Sequence, residues 1–233
     1  MSERPFLSIV IPMYNEEEGI PRLLSHLSAT LAAQCPDMVY GIIVVDDGSS
    51  DGSVAAVQAV ENAAVLLCQH PYNIGNGAVV KTGIRQAQGE NILMMDADGQ
   101  HKPEDIPRLL AHIDRFDMVV GARTKGSDSA KHRDLANTIY NLFATYVCGR
   151  KIEDLTSGFR VIRAQIAKNL VYLLPNTFSY PTTITLAVVR GGFSLHYVPI
   201  VARKRVGKSK IKLVRDGSRF LMILFKITTL FSP

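Results

Sequence analysis

The sequence predicts an α/β protein with a central, mostly parallel sheet covered by helices on both faces. Three observations carry that prediction. Short apolar runs rich in β-branched residues recur through the first half of the chain, each run ends in polar residues at a turn, and between runs the apolar spacing shifts to that of a helix. Strands alternating with helices at this rhythm make βαβ units. Their strands are buried on both faces and therefore read as continuous hydrophobic runs.

The elements follow in order. Residues 6–12, FLSIVIP, form the first buried strand, and from Glu16 the spacing turns helical, with Ile20, Leu23, Leu24, Leu27 and Leu31 on one face. Residues 40–45 make a second strand ending in Asp46, Asp47 and a Gly/Ser turn; residues 54–62 read as a helix and 64–69 as a third strand. NIGNG, residues 73–77, is a glycine-rich loop opening a helix that Gly89 is expected to cap. A fourth strand, 91–95, runs into DADGQH; the next helix begins near Pro103 with Glu104 and Asp105 in its first turn, and 117–121 make a fifth strand. Beyond Arg123 the pattern loosens. Residues 134–148 have an apolar helical face, EDLTSGFRVI runs from a polar loop into a strand, and 193–201 read as another strand.

With 233 residues, 47% hydrophobic and 20% charged, the chain is long and apolar enough for one domain with a substantial core, which excludes a solvated polymer. Its start, MSERPFLSIVIP, has an acid and a proline where a signal peptide needs a basic stretch and a long apolar run, so the body is expected in the cytoplasm. Three scattered cysteines without a CxxC pair point to reduced thiols, against a disulfide framework or a zinc site. The net charge of +5 is uneven: residues 203–226 hold nine Lys/Arg and the single acid Asp216, which is +8 and leaves about −3 for the rest. Residues 220–231 are apolar apart from Lys226 and two threonines, too short to span a bilayer and suited to an interfacial helix on anionic lipid, or to a core or dimer helix. No helix-turn-helix, zinc-finger or RRM signature accompanies the basic run, so nucleic acid is not an expected partner.

In doubly wound sheets, ligands bind beyond the carboxyl ends of the strands. Tyr14-Asn15-Glu16, Asp46-Asp47, Asp96-Ala97-Asp98 and Arg123 each sit just past such an end and are expected to share one crevice. The D-x-D turn offers two hard oxygen ligands suited to Mg²⁺ or Mn²⁺ bridging a diphosphate; the plain alternative is a solvated acidic turn. An EF-hand is excluded because counting from Asp47 puts Ser49 at position three and Gln58 at twelve, and a P-loop because Val80 precedes Lys81-Thr82. NIGNG could bring backbone N–H groups to a phosphate or ribose, or serve only as a turn. Asp46-Asp47 could cap the following turn, although Asp51 and the serines look better placed for that. Arg123 would offset the carboxylates before a diphosphate, or pair with one of them. RVGKSK is a cationic loop able to fold over phosphates as a lid.

Together IPMYNEEEGI, VVDDGSSDGS, NIGNGAVVKTG, MDADGQHKPEDIP, VVGAR, DLTSGFR and RVGKSK, in that order over roughly residues 6–212, resemble the family-two glycosyltransferases, in particular the polyprenyl-phosphate (dolichol-phosphate mannose synthase-like) branch. The resemblance implies a GT-A, Rossmann-like three-layer fold and metal-dependent, inverting transfer of a hexose from a nucleotide-sugar donor of GDP-mannose or UDP-glucose type. The implied acceptor is a dolichyl or undecaprenyl phosphate at the cytoplasmic face of the membrane. It implies that Pro12, Tyr14, Glu16, Val45 and Asp47 hold base and ribose, that Asp96, Asp98 and Gln100, with Ala97 between, hold the metal and diphosphate, and that Arg123, Arg133, Arg205, Ser209 and Lys210 neutralise phosphates. Asp154 takes the place often proposed for the catalytic base, yet a lipid phosphate is already anionic near neutral pH, so its nucleophile needs positioning and shielding more than deprotonation. Asp154 could instead orient Arg133 or the metal shell, with Asp98 and Arg123 completing the catalytic set.

The expected division is a catalytic domain, 1–210, and a basic amphipathic membrane-proximal helix, 211–233. Relatives of this branch often continue into transmembrane helices past this point, so the native chain is expected either to continue or to rest on the bilayer through residues 211–231; a homo-oligomer stays open. Two rival readings are a glycosyltransferase with a soluble or polysaccharide acceptor, against which the tail and the lack of a QxxRW-like segment argue, and a nucleotide-sugar-binding protein without turnover. A nucleotidyltransferase would want a glycine-rich basic signature after the first strand, where MYNEEE stands.

Overall fold

The computed structural model describes residues 5–124, 131–177 and 179–203, together with Met222, Lys226 and Thr229. Seven strands form one sheet: β1 (Leu7–Met13), β2 (Tyr40–Asp46), β3 (Val65–Gln69), β4 (Asn91–Met94), β5 (Met118–Arg123), β6 (Arg160–Arg163) and β7 (Leu195–Ile200), in the spatial order β3-β2-β1-β4-β6-β5-β7. The helices are α1 (Ile20–Gln34), α2 (Ser53–Gln58), α3 (Asn76–Gln86), α4 (Ile106–Leu110), α5 (Lys131–Cys148), α6 (Ala164–Leu170) and α7 (Tyr180–Arg190). All pairings are parallel except those of β6, which runs against both β4 and β5.

Side chains of successive strand residues point to opposite faces, and here they feed two separate cores. Ile9, Ile11, Ile42 and Val44 join the core under α1, whereas Val10, Ile43 and Val45 join the one under α3, α6 and α7. That makes the three layers the apolar runs predict. On α1 the expected stripe of Ile20, Leu23, Leu24, Leu27 and Leu31 is buried throughout.

Three local differences have physical causes. Helix α3 ends at Gln86 with Ala87 as its cap, so Gly89 is not the C-cap. It is instead a point of close approach, where an added Cβ would stand 2.7 Å from Ser8 N while Ser8 Oγ accepts from Gly89 N at 2.9 Å. Helix α2 stops at Gln58, short of residue 62. Helix α7 escapes a reading by pattern because its YPTTITLAVV is rich in residues that favour strands. Its threonines are accommodated by donating back into the helix, Thr183 Oγ1 to Ser179 O at 3.0 Å and Thr185 Oγ1 to Pro181 O at 2.8 Å.

The topology positions the site. Strands β1, β2, β3, β4, β5 and β7 end at one edge of the sheet, and β6, being reversed, begins there. Loops after six strands and before the seventh therefore converge. No described helix is long and apolar enough to cross a membrane. Met222, Lys226 and Thr229 are helical and exposed; the rest of 211–233 lies outside the described residues.

Candidate functional site

One wall of the crevice is built by fastening the loop after β1 to the turn after β2. Asn15 takes a left-handed backbone (φ 55°), a conformation that asparagine tolerates better than most residues. Its Oδ1 accepts from Ser50 N at 2.9 Å and its own N–H donates to Ser49 Oγ at 2.9 Å. Glu16 N donates to Ser53 Oγ at 2.8 Å, and Gly52 N donates to Glu17 Oε2 at 3.1 Å. The turn itself is closed by Asp46, which accepts from Gly48 N at 3.2 Å and Ser49 N at 3.1 Å, while Asp51 receives Ser53 N at 3.0 Å. The capping expected of Asp51 and the serines is thus shared with Asp46.

Asp47 is buried, and its carboxylate faces the glycine-rich loop: Ile74 N and Gly75 N each donate to it at 2.9 Å, and His70 Nδ1 pairs with it at 3.0 Å. Two of the NIGNG amides that could have met a phosphate, those of Ile74 and Gly75, are in this way committed to Asp47. The glycines answer to packing. Gly75 has φ +120°, and a Cβ on Gly77 would lie 2.0 Å from Pro175 O. Val45 is fully buried and Pro12 half-buried within paired strands, so their side chains build the wall. Tyr14 and Glu16 stand half-buried on the rim.

The D-x-D turn follows β4 directly. Asp96 is half-buried and Asp98 only 8% exposed. Gln100 N donates to Asp98 Oδ1 at 3.1 Å, Gln100 Nε2 to Arg203 O at 3.3 Å, and Arg203 N to Gln100 O at 2.9 Å, which ties the turn to the chain beyond β7. Behind Asp96 stands Gly158, where a Cβ would come within 2.6 Å of Asp96 Oδ2. Below it Arg160, fully buried, donates to Ser157 O, to Pro181 O at 3.0 Å and to Thr185 Oγ1 at 2.8 Å. Burial raises the Tyr180 phenol's pKa and Asp96 raises it further, so this hydroxyl stays protonated and donates to Gly158 O at 3.4 Å.

The donor chemistry of this turn fits a hard divalent cation. Two carboxylates and an amide oxygen suit an ion that keeps waters and takes substrate oxygens. Among the described residues no group of three or more His, Cys, Asp or Glu could form a closed cage, which excludes a structural zinc arrangement there.

Arg123, the last residue of β5, forms a two-pronged ion pair with Asp154: Nε to Oδ2 at 2.8 Å and Nη2 to Oδ1 at 2.8 Å, with Nη2 also donating to Thr156 Oγ1 at 2.6 Å. Asp154 further accepts from Arg123 N at 3.1 Å and Ser157 N at 3.1 Å. Burial opposes its charge, yet the Arg123 guanidinium and these N–H donors hold its carboxyl below the usual carboxylate range. A carboxylate so held is a weak base. The sequence left Asp154 as a base or as orienting Arg133 or the metal shell; its described contacts hold a different arginine, Arg123. Arg133 falls on α5, but its side chain, with Arg205, Ser209 and Lys210, lies outside the described residues.

His101 completes the edge and was assigned no role by sequence. Its ring stacks on Phe159 (centroids 5.0 Å apart, 14° between planes) and its buried Nδ1 has no hydrogen-bond partner among the described residues. Burial pushes its pKa down to about 4, opposed by Asp98 and helped by Arg123. A cavity of about 560 Å³ opens between the loop leading into α1 and the D-x-D turn, lined by Glu16, Arg22, Ala97, Asp98, His101 and Arg203 among others. A larger, shallower hollow of about 820 Å³ lies at the other ends of the strands, between Phe6, Cys35, Met38 and Glu90, away from every residue named above. Arg203, Arg160 and Gly158 were also missed. Only Arg203 had a signal, as the first cation of the basic run.

Residues 8–171 match the family model described as "Glycosyl transferase family 2". Among curated proteins, an undecaprenyl-phosphate 4-deoxy-4-formamido-L-arabinose transferase of Photorhabdus laumondii subsp. laumondii is 35% identical over 191 residues, covering 76% of this chain and 57% of that protein. The protein of the same description from Yersinia pestis (strain Pestoides F) is 32% identical over 226 residues, covering 90% of this chain and 63% of that one. The chain spans about three fifths of the length of these relatives. Among solved structures, glucosyl-3-phosphoglycerate synthase from Mycobacterium tuberculosis, in complex with Mn²⁺ and UDP-glucose, superposes with TM-score 0.76 at 16% identity, over 98% of this chain and 80% of that one. At that identity the likeness is one of fold.

Proposed function

The chain belongs to glycosyl transferase family 2, and from that premise we propose that it transfers a sugar, with inversion, from a nucleoside-diphosphate donor to a polyprenyl phosphate at the cytoplasmic face of a membrane. The observation that carries the reading is an acidic turn, Asp96-Ala97-Asp98, whose Gln100 is tied to the cationic Arg203 beside it, at the sheet edge where the Arg123–Asp154 pair ends β5. The relatives named for undecaprenyl-phosphate support a lipid phosphate as acceptor.

In this reading Asp96, Asp98 and Gln100 hold Mg²⁺ or Mn²⁺, which when bound offsets charge on the departing diphosphate. Tyr14 and Glu16 border the base and ribose, and Asp47 acts by shaping the loop beside them. Arg123, aimed by Asp154, screens phosphate charge, so an acceptor that is already anionic meets a prepared cation and no base is required. Neutral His101 and Phe159 keep water from the inner end of the cavity. Residues 211–233 serve as a membrane-proximal segment.

The test is transfer of label to undecaprenyl phosphate from a panel of GDP- and UDP-sugars that includes the 4-deoxy-4-formamido-L-arabinose type, with Mn²⁺ or Mg²⁺ and then with EDTA. Chelation is expected to abolish transfer, and Asp98→Asn to lower it by about a hundredfold or more. Unchanged turnover in either would overturn the metal role. Transfer only to a soluble or polysaccharide acceptor, or donor binding with no turnover, would favour the rival readings.

A further inference from the structure

Arg160 opens β6, and its place in the sheet sets it between the two halves of the site. It pairs with Met94 of β4 on one side and with Val120 of β5 on the other. Asp96 stands two residues beyond Met94, and Arg123 three beyond Val120. The side chain is fully buried, and its described acceptors are all neutral. Nε donates to Ser157 O at 3.1 Å, Nη2 grips the same oxygen, and Nη1 donates to Pro181 O at 3.0 Å and to Thr185 Oγ1 at 2.8 Å. The guanidinium is thus a rigid fork that fastens Ser157 to α7.

An arginine keeps its charge in a protein interior, and burying a charge is costly. Apolar replacement of buried charged groups is often neutral or stabilising, so stability alone gives little reason for a cation here. What the fork holds gives a better one, because Ser157 and Gly158 touch both carboxylates of the site. Ser157 N donates to Asp154 Oδ1 at 3.1 Å, while Ser157 Oγ donates to Gly121 O at 2.7 Å. Gly158 lies so close to Asp96 that a Cβ would come within 2.6 Å of Asp96 Oδ2. Burial disfavours the charge on Arg160, whereas Tyr180, Tyr197, Asp154 and Asp96 favour it, which places both carboxylates within its field.

We propose that Arg160 is a positioning residue for both carboxylates: by tying Ser157 O to α7 it fixes Ser157 against Asp154 and Gly158 against Asp96, so that the metal turn and the Arg123–Asp154 pair keep one mutual register. The inference deepens the metal and phosphate roles proposed above and rests on them for its purpose. Metal binding requires no turnover, so the two can fail separately.

The test titrates the full chain with Mn²⁺ alone and reads binding as loss of the free ion's electron paramagnetic signal. Arg160→Lys keeps the charge, but one ammonium cannot hold Ser157 O and α7 together. Thr185→Val removes a single acceptor and keeps the test decisive should the arginine variant fail to fold. Mn²⁺ affinity is expected to fall about tenfold in Arg160→Lys and about threefold in Thr185→Val. Gly83→Ala, crowded against Val10 in the core, controls for lost stability and should bind Mn²⁺ within about twofold of the unaltered chain. In sugar transfer, Arg160→Lys should lower the rate about tenfold in the unaltered chain but less than about threefold in Asp154→Asn, because part of its effect passes through Asp154. Unchanged Mn²⁺ affinity in both Arg160→Lys and Thr185→Val overturns the inference, as does an equal loss in Gly83→Ala or a rate loss that persists in full beside Asp154→Asn. Asp98→Asn separates the two readings. If it leaves Mn²⁺ binding unchanged, the metal role falls and the Asp154 cycle decides the inference; if it abolishes binding while the Arg160 and Thr185 variants bind normally, the inference alone falls.

Discussion

Replacing Asp154 by asparagine keeps the shape of the side chain and removes the charge that aims Arg123, so a double-variant cycle separates an organiser from a base. Breaking a buried ion pair costs about 3–5 kcal/mol. Here the Arg123 side chain is 30% exposed against 6% for Asp154, so water recovers part of the loss and about 2 kcal/mol of stability is expected to go. On the rate, a preorganised cation that loses its aim resembles a lost electrostatic donor, about 10²–10³-fold, and Arg123→Gln should cost the same. If Asp154 works through Arg123, the double variant falls within about tenfold of the worse single one, a coupling of about 2–3 kcal/mol. Independent roles would multiply to about 10⁴–10⁶-fold. The assay is initial-rate sugar transfer under donor and acceptor saturation, with urea unfolding curves run beside it. A multiplicative loss would refute the reasoning and restore Asp154 as a base.

Two other outcomes follow from packing and burial. Gly158→Ala should leave the melting temperature within a few degrees, because the added Cβ meets only the end of the Asp96 side chain at 2.6 Å, yet weaken Mn²⁺-dependent donor binding by about tenfold or more, read as a lost thermal shift. Gly83→Ala, whose Cβ would stand 2.2 Å from Val10 Cγ1 in the core, should instead cost about 1–3 kcal/mol of stability; equal effects in the two variants would contradict this. His101 has its pKa depressed from 6.5 to about 4, so the unfolded chain takes up the proton first. Its contribution is therefore complete above pH 6.5 and falls by about 3 kcal/mol as the pH drops to 4. Urea unfolding of the metal-free protein across that window should be flatter for His101→Asn by about this amount, and parallel curves for the two proteins would refute it.

The strands were legible because each is buried on both faces and reads as an unbroken apolar run, and the crevice was legible because parallel strands end at a common edge. What pattern could not convey was direction. The sequence marks DLTSGFR as a loop entering a strand, but only the reversal of β6 brings that loop to the edge where Arg123 ends β5. Long-range packing was equally hidden: Gly75 and Gly77 read as either a phosphate-approaching loop or a plain turn, and their neighbours are residues 175–177, a hundred positions away in sequence but adjacent in space. His101 and Arg160 were passed over because a polar residue in an apolar setting carries no signal until its partners, Phe159 and Thr185, are known.

The Arg123–Asp154 pair also has a meaning for the chain's history. The two residues are 31 positions apart, and everything between them, α5 included, is an excursion whose neck the ion pair fastens. Lengthening such a closed excursion is cheap, about 0.6 kcal/mol for each doubling, and the neck isolates the sheet from whatever is inserted. The wall at the ends of β1, β2 and β3 has no comparable freedom, since Asn15, Asp46 and Asp47 interlock the loops that follow them. A fold so divided can vary the segment between β5 and Asp154 as a unit while the interlocked loops at the ends of β1, β2 and β3 stay as they are.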